Sequence, residues 1–242
     1  MLSFRRYLEE IKISLEYHDT LNSKLWDGDK LKPEVRTALL KFADAWISFA
    51  NIKPSLIQDI VMTGGNTNYN YTSKSDIDVH VIVDRNKLGN DRAMVDDYLQ
   101  SKKVLWTLTH DIKVYGYPLE PYAQDTGETL PSEQGSYSLK NNQWLQQPKH
   151  GDYDFANDSN LKKKVQYYKH LIDYMIKSKM STDEFDDLSK KLRTMRGASI
   201  QKGGEFSFEN LLFKELRNQG YLDKMDQYQK SVRDKDLSLR SE

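Results

Sequence analysis

The chain has 242 residues, enough for one large domain or two small ones, each with a core of its own. Its 36 basic and 36 acidic side chains cancel, which does not describe a strongly basic nucleic-acid binder, although a local basic groove stays open. The absence of cysteine excludes disulfides and thiolate zinc sites. No apolar run reaches the length of a membrane span and the N-terminus lacks a signal-peptide core, so a soluble, cytoplasmic monomer without membrane contact is expected.

Residues 2–18 read as a helix, because Leu2, Phe4, Leu8, Ile11 and Leu15 recur at near-helical spacing. Residues 19–30 suggest a short helix ending in the Asp27-Gly28-Asp29 turn. Pro33 suits the first turn of another helix, whose apolar stripe is Val35, Leu39, Phe42, Ala43, Trp46 and Ile47. Pro54 breaks that helix, so residues 1–54 form an N-terminal helical layer.

A strand over Ile57 to Thr63 then runs into Gly64-Gly65. After a polar interval comes Ser75-Asp76-Ile77-Asp78-Val79-His80-Val81-Ile82-Val83. Side chains alternate along a strand, so Asp76 and Asp78 share one face while Ile77, Val79, Val81 and Val83 take the other. Two carboxylates held this close repel unless a cation lies between them. Oxygen ligands of this kind suit Mg²⁺, with Mn²⁺ as the alternative, together with substrate phosphates. The glycines remove side chains where a backbone must approach a phosphate, and their N–H groups can form an anion-binding nest. A solvated strand end carrying alternating acids is the plainer explanation. The ordered pair of motifs, each joined to an apolar strand, favours a catalytic site.

Gly64-Gly65, a polar spacer and Asp76-Ile77-Asp78 on a strand together resemble the signature of the DNA polymerase β-type nucleotidyltransferase superfamily. The match covers roughly residues 57 to 84. The whole chain also resembles, more loosely, the predicted nucleotidyltransferases of large tailed bacteriophages, for which the host cytoplasm is the expected compartment. The resemblance implies an α+β fold: a small mixed β-sheet core over 55–147, flanked by helices, with a C-terminal helical part over 158–235. It also implies that the 66–74 segment approaches a triphosphate. Gly64, Gly65, Asn66, Lys74 and Ser75 are then nucleotide-binding candidates, and Tyr69 or Tyr71 can stack on a base. Each of these side chains would also suit an ordinary exposed loop.

The superfamily needs a third carboxylate on a neighbouring strand, either as general base for the attacking hydroxyl or to hold the metal. Glu120, in the strand-like Leu119-Glu120-Pro121-Tyr122-Ala123-Gln124, is preferred over Asp111. Glu in place of the common Asp departs from the family pattern. Pro121 is a second departure and implies an edge or irregular strand. His80 shares the face of the aspartates and is read as a satisfied histidine one rung below the site. Asp84 is read as a cap. Between the strands, residues 90–107 form a helix with Met94, Val95, Tyr98, Leu99 and Leu105 inward.

A polar loop over 127–135, including Pro131, leads to short strands around Tyr137 and Trp144. Helices follow from Leu161, from the Ser181-Thr182-Asp183-Glu184 capping box, from Ser207 and from Leu222, ahead of a charged tail. Basic side chains between Lys190 and Arg217 either face solvent or contact phosphates. By resemblance such a part closes one wall of a nucleotide cleft, which makes Arg196 and Lys202, beside glycines, the candidates.

The expected activity is Mg²⁺-dependent transfer of an NMP from an NTP, ATP before the others, to an acceptor hydroxyl on RNA, protein or a small molecule. Asp76, Asp78 and Glu120 are the expected catalytic and metal-binding residues. A pyrophosphokinase of the alarmone-synthetase kind, or a non-catalytic nucleotide- or nucleic-acid-binding protein on the same fold, are the alternatives.

Overall fold

The structure is a computed structural model, describing residues 12–129 and 134–238. The chain divides into two compact units: residues 17–152, and residues 153–238 with the short segment 12–16. Residues 12–18 are irregular rather than helical; the remainder of the expected helix over 2–18 lies outside the described residues. Residues 19–30 are not a helix either. Trp26–Asp27 (β1) and Lys30–Leu31 (β2) pair as a small antiparallel hairpin, and Gly28 supplies its positive φ of 59°. The Asp-Gly-Asp sequence is a hairpin signal as much as a helix stop.

Pro33 opens helix α1 (Pro33–Phe49), and all six residues of the expected stripe are buried. They cover one face of a mixed six-stranded sheet: β3 (Ile57–Thr63), β4 (Ile77–Val83), β5 (Lys113–Val114), β6 (Tyr117–Asp125), β7 (Ser136–Ser138) and β8 (Gln143–Gln146). Their spatial order is β5-β6-β4-β3-β7-β8. All pairings are antiparallel except β4 with β6. That pair is parallel because helix α2 (Arg92–Thr109) carries the chain back between them, as a parallel pair requires. Ile77, Val79, Val81 and Val83 are all buried on the α1 side, each contributing about 1.5–3 kcal/mol.

Helix α2 turns differently from the expected register. Val95, Leu99 and Trp106 are buried, whereas Met94 is 68% exposed and Tyr98 and Leu105 are near half-exposed. Trp106 claims the inward position by packing edge-on against Phe42 and Phe49. Pro121 lies on β6 beyond the reach of β5, whose pairing stops at Pro118, so its missing N–H costs no ladder bond.

The second unit holds helices α3 (Ser159–Lys177), α4 (Thr182–Gly203), α5 (Phe208–Asn218) and α6 (Tyr221–Leu237). Asp158 caps α3 through the Asn160 and Leu161 N–H groups, and the Ser181–Glu184 capping box opens α4. Helix α4 runs on to Gly203, and Gly204 ends it with φ 70°. Buried Glu215 on α5 accepts bonds from the Ser14 N–H and Oγ, tying down segment 12–16. Pro131 and the tail after 238 lie outside the described residues. Among the described residues, no helix is long and apolar enough to cross a membrane.

Trp26 joins the hairpin to the rest of the first unit. It is 2% exposed, stacks on Trp144 at 4.6 Å and donates its indole N–H to the Asn66 carbonyl at 2.8 Å. Trp26→Ala is expected to cost about 3–5 kcal/mol of stability, measurable as a lower denaturant midpoint. An unchanged midpoint would mean that this contact does not hold the hairpin to the sheet.

Candidate active site

Three carboxylates meet at one end of the β4/β6 pair. Asp78 and Glu120 are direct partners in the parallel register, and Asp76 sits one residue ahead of β4. One oxygen from each of Asp76, Asp78 and Glu120 lies within 4.8 Å of the others, and all three side chains are half-buried. Oxygen-only donors at this separation can hold a hard divalent cation. Asp111 is elsewhere: it is exposed and pairs with Lys113 at 2.8 Å.

The turn after β3 explains how Asp78 fits. Gly64 has φ 90°, and a Cβ built there would lie 2.2 Å from the Asp78 Oδ2. A Cβ on Gly65 would lie 3.0 Å from the Ser75 Oγ. The missing side chains therefore make room for the start of the acidic strand itself, a role beyond the phosphate approach read from sequence. The Gly64 carbonyl accepts the Thr67 Oγ1 at 2.8 Å and the Asn68 Nδ2 at 2.6 Å. Gly135 closes the turn from outside. Its N–H donates to the Asn68 Oδ1, its carbonyl accepts from Thr63 and Thr67, and a Cβ there would lie 2.1 Å from the Thr67 carbonyl oxygen.

Asn66 is fully buried, and its amide is used within the fold. It donates to the Asp76 carbonyl and accepts from the Asn22 Nδ2, both at 2.8 Å. Its side chain thus fixes the backbone of Asp76 and offers no surface to a ligand. Ser75 is also buried, its Oγ accepting the Thr72 N–H at 2.9 Å. Lys74 is exposed. Tyr71 stacks on His18 at 3.9 Å, and Tyr69 meets the His150 ring edge-on at 4.8 Å. Arg196 and Lys202 belong to the helical unit. There Arg196 bonds the Asn210 Oδ1 at 3.0 Å and lies over the Phe213 ring, while Lys202 is exposed at the end of α4.

Two features of the site face have no sequence motif to announce them. Lys103 on α2 places its Nζ 3.5 Å from the Glu120 Oε2 and 5.7 Å from the Tyr122 ring centre. Only the turn of α2 against β6 brings it there. Below the carboxylates, buried Arg85 ties the strand ends to α2. It bonds Asp96 at 2.9 Å, the Tyr122 hydroxyl at 3.1 Å and the Ala123 carbonyl. Burial disfavours the Arg85 charge, but Tyr122, Glu128 and Asp96 outweigh it and hold its pKa above the ordinary value. Asp84 caps the turn at Arg85 by accepting the Asn86 N–H, as the sequence suggested.

His80 is satisfied one rung below Asp78. Gln124 donates its amide N–H to the Glu128 carbonyl, so its Oε1 is the acceptor for the His80 Nδ1–H at 2.8 Å. Burial, only partly opposed by this bond, lowers the His80 pKa below 6.5. The unfolded chain then takes up a proton that the folded chain refuses. Stability is full above about pH 6.5 and falls as the pH drops below it. His80→Gln is expected to remove this limb from a plot of stability against pH; the same limb in the variant would clear His80 of the effect. Gly64→Ala must displace the Asp78 carboxylate. It is expected to weaken Mn²⁺ binding, read by electron paramagnetic resonance, by about tenfold or more, since metal ligation tolerates little misplacement. Wild-type affinity in this variant would contradict the Gly64–Asp78 packing.

No protein-family model matches the chain, and no curated protein matches it. Among solved structures it is similar to the STING-associated CdnE c-di-GMP synthase from Capnocytophaga granulosa, at 17% identity over 84% of this chain and 82% of that one, with a TM-score of 0.21. Similarity that slight carries no argument about fold or activity.

Proposed function

We propose that the protein is a divalent-metal-dependent nucleotidyltransferase that moves an NMP from an NTP to an acceptor hydroxyl and releases pyrophosphate. The observation that carries this is the convergence of Asp76, Asp78 and Glu120 within 4.8 Å beside the Gly64 turn. The donor set fits Mg²⁺ or Mn²⁺: three carboxylates, no soft ligand, and side chains open enough to share a cation with phosphate oxygens. A cation held by these three residues would neutralise and align the triphosphate.

The chain's own residues then have separate tasks. Asp76 and Asp78 would hold the cation that a triphosphate needs, with Asn66 holding the Asp76 backbone and Gly64 leaving space for Asp78. Glu120 takes the proton of the acceptor hydroxyl. The hydroxyl oxygen forms a bond to the α-phosphorus as the bond to the pyrophosphate oxygen breaks. Lys103 supplies a positive charge against Glu120 before any cation arrives. Rate enhancement would come from positioning and charge neutralisation, without a protein nucleophile.

The direct test is label transfer from each α-labelled NTP with Mg²⁺ or Mn²⁺ and a cell extract. Labelled product is expected from the wild type, with Asp78→Asn lower by about 100-fold or more and still folding cooperatively. Release of γ-label without transfer would replace the proposal with pyrophosphoryl transfer or hydrolysis. Nucleotide binding without either would replace it with a binding protein.

Lys103 provides a second test. A cation entering the site must compete with the ammonium group. Lys103→Met is therefore expected to tighten Mn²⁺ binding in the absence of nucleotide by about two- to fivefold, the worth of a half-exposed ion pair. Weaker binding would show that Lys103 holds Glu120 in place rather than opposing the metal.

A further inference from the structure

Of the eleven large apolar side chains left in water among the described residues, five lie on helix α2: Met94, Tyr98, Val104, Leu105 and Leu108. The helix already has a buried face in Val95, Leu99 and Trp106, so this is a second apolar face. Met94, Tyr98, Ser101, Leu105 and Leu108 follow one another at steps of four, three, four and three residues. On a helix they fall within about 80° of one another, and no charge interrupts them. Tyr98 is fixed within this stripe, because its hydroxyl donates to the Ala50 carbonyl at 3.1 Å. Leu108 is 78% exposed, Leu105 and Val104 48% and Tyr98 43%. With Met94, the exposed fractions amount to about 500 Å², in the upper part of the range for a monomer's largest apolar patch.

The shape of the stripe and the charges on its flanks indicate what covers it. It is one side chain wide and about 21 Å long, so a small molecule would cover only a fraction of it. The alternating steps of four and three are those of a helix-pairing seam. Met94, Ser101 and Leu108 occupy one seam position, and Tyr98 and Leu105 the other. Asp97 then lies on one flank and Lys102 on the other. Among the described residues neither makes an ion pair; Lys102 lies over the Phe49 and Tyr98 rings at 4.9 and 5.4 Å. A membrane surface would call for basic residues along the polar flanks, which Asp97 contradicts. In a parallel pair of identical helices, each Asp97 faces the partner's Lys102, five residues further on. In an antiparallel pair the two Lys102 side chains would meet instead. The same stripe on a second copy therefore supplies both the apolar cover and two ion pairs. Across the two copies it removes about 1,000 Å² from water, the area at which specific interfaces begin.

We propose that two copies of the chain associate through α2, parallel and two-fold symmetric, in place of the monomer expected from the sequence. The contact is isologous, so each copy offers the same stripe and the same pair of flanking charges. It uses none of the three carboxylates and does not rest on the proposed activity. The Asp76→Ala/Asp78→Ala variant is expected to associate as the wild type does.

The test is sedimentation equilibrium of the full chain. A contact of this size is expected to dissociate in the micromolar range, which loading concentrations of about 1–200 μM bracket. The wild type is expected to rise from 28.3 kDa towards twice that mass. Leu105→Glu/Leu108→Glu is expected to keep the single-chain mass throughout, with an unchanged circular dichroism spectrum because both positions are exposed. Leu145→Glu, at a comparably exposed leucine on β8, is expected to associate as the wild type does. Asp97→Lys and Lys102→Glu are each expected to weaken the dimer by about fivefold or more, because two attractive contacts become repulsive. An equimolar mixture of these two variants is expected to recover wild-type affinity, since each flank again meets its opposite charge. The proposal is overturned if the wild type keeps the single-chain mass at every concentration or climbs past twice that mass. It is equally overturned if Leu145→Glu loses the dimer as the α2 variant does, or if the mixture associates no better than its components.

Discussion

The parallel pairing of β4 with β6 is the constraint on which the site depends. It places Glu120 directly opposite Asp78, so two carboxylates on strands joined through a helix face each other at one end of the pair. A one-residue slip would turn Glu120 into the core and bring Leu119 or Pro121 to the acid face. The register is held from both sides. Val79, Val81 and Val83 are locked beneath α1, while Arg85 bonds the Ala123 carbonyl and the Tyr122 hydroxyl at the far end. The apolar face specifies which way the strands turn, and the buried arginine resists their sliding.

The same economy governs the loop between β3 and β4. Its polar residues are drawn inward: Asn66, Thr67, Asn68 and Ser75 are buried and hydrogen-bonded to backbone. Buried amides and hydroxyls are costly unless satisfied, and here they meet the carbonyls and N–H groups of a turn with no regular ladder. The result is a rim hydrogen-bonded to its own backbone rather than a fully solvated polar loop. These bonds matter because like-charged carboxylates repel, and the turn that carries Asp76 is held by Asn66.

What was legible in the sequence follows from what is local. The shared face of Asp76 and Asp78 needs only the two-residue period of a strand, and the α1 stripe needs only the helical period. Glu120 was legible because its strand alternates, although its partner was not: register between β4 and β6 is set by how α2 lies between them. The failures have the same origin. Residues 19–30 contain too few apolar positions to distinguish a helix from a hairpin, and Trp26 settles the matter by inserting beside Trp144 and Asn66. The buried stripe of α2 differs from the apolar periodicity by a fraction of a turn, because Trp106 is inward and Met94 is not. Asn66 is of a type that suits a loop surface, and its bonds to Asn22 and Asp76 depend on tertiary neighbours that no local pattern announces. Lys103, Arg85 and Gly135 act through partners distant in sequence, so no motif could reveal them.

Charge shows how an average can mislead. The neutral total excludes a uniformly basic surface, but it conceals a division. Residues 17–152 carry 15 basic and 18 acidic side chains, whereas the rest of the chain carries 21 and 18. The Asp76, Asp78 and Glu120 carboxylates therefore sit in the acidic part, where the surrounding field would favour a cation. The basic surplus belongs to the helices and is sharpest on α3, with five lysines and one engaged acid. The Debye length is about 8 Å at physiological salt, so each surface acts through its own local charge rather than through the total. The Asp76, Asp78 and Glu120 cluster and the lysine-rich α3 are thus local surfaces of opposite sign within one neutral chain.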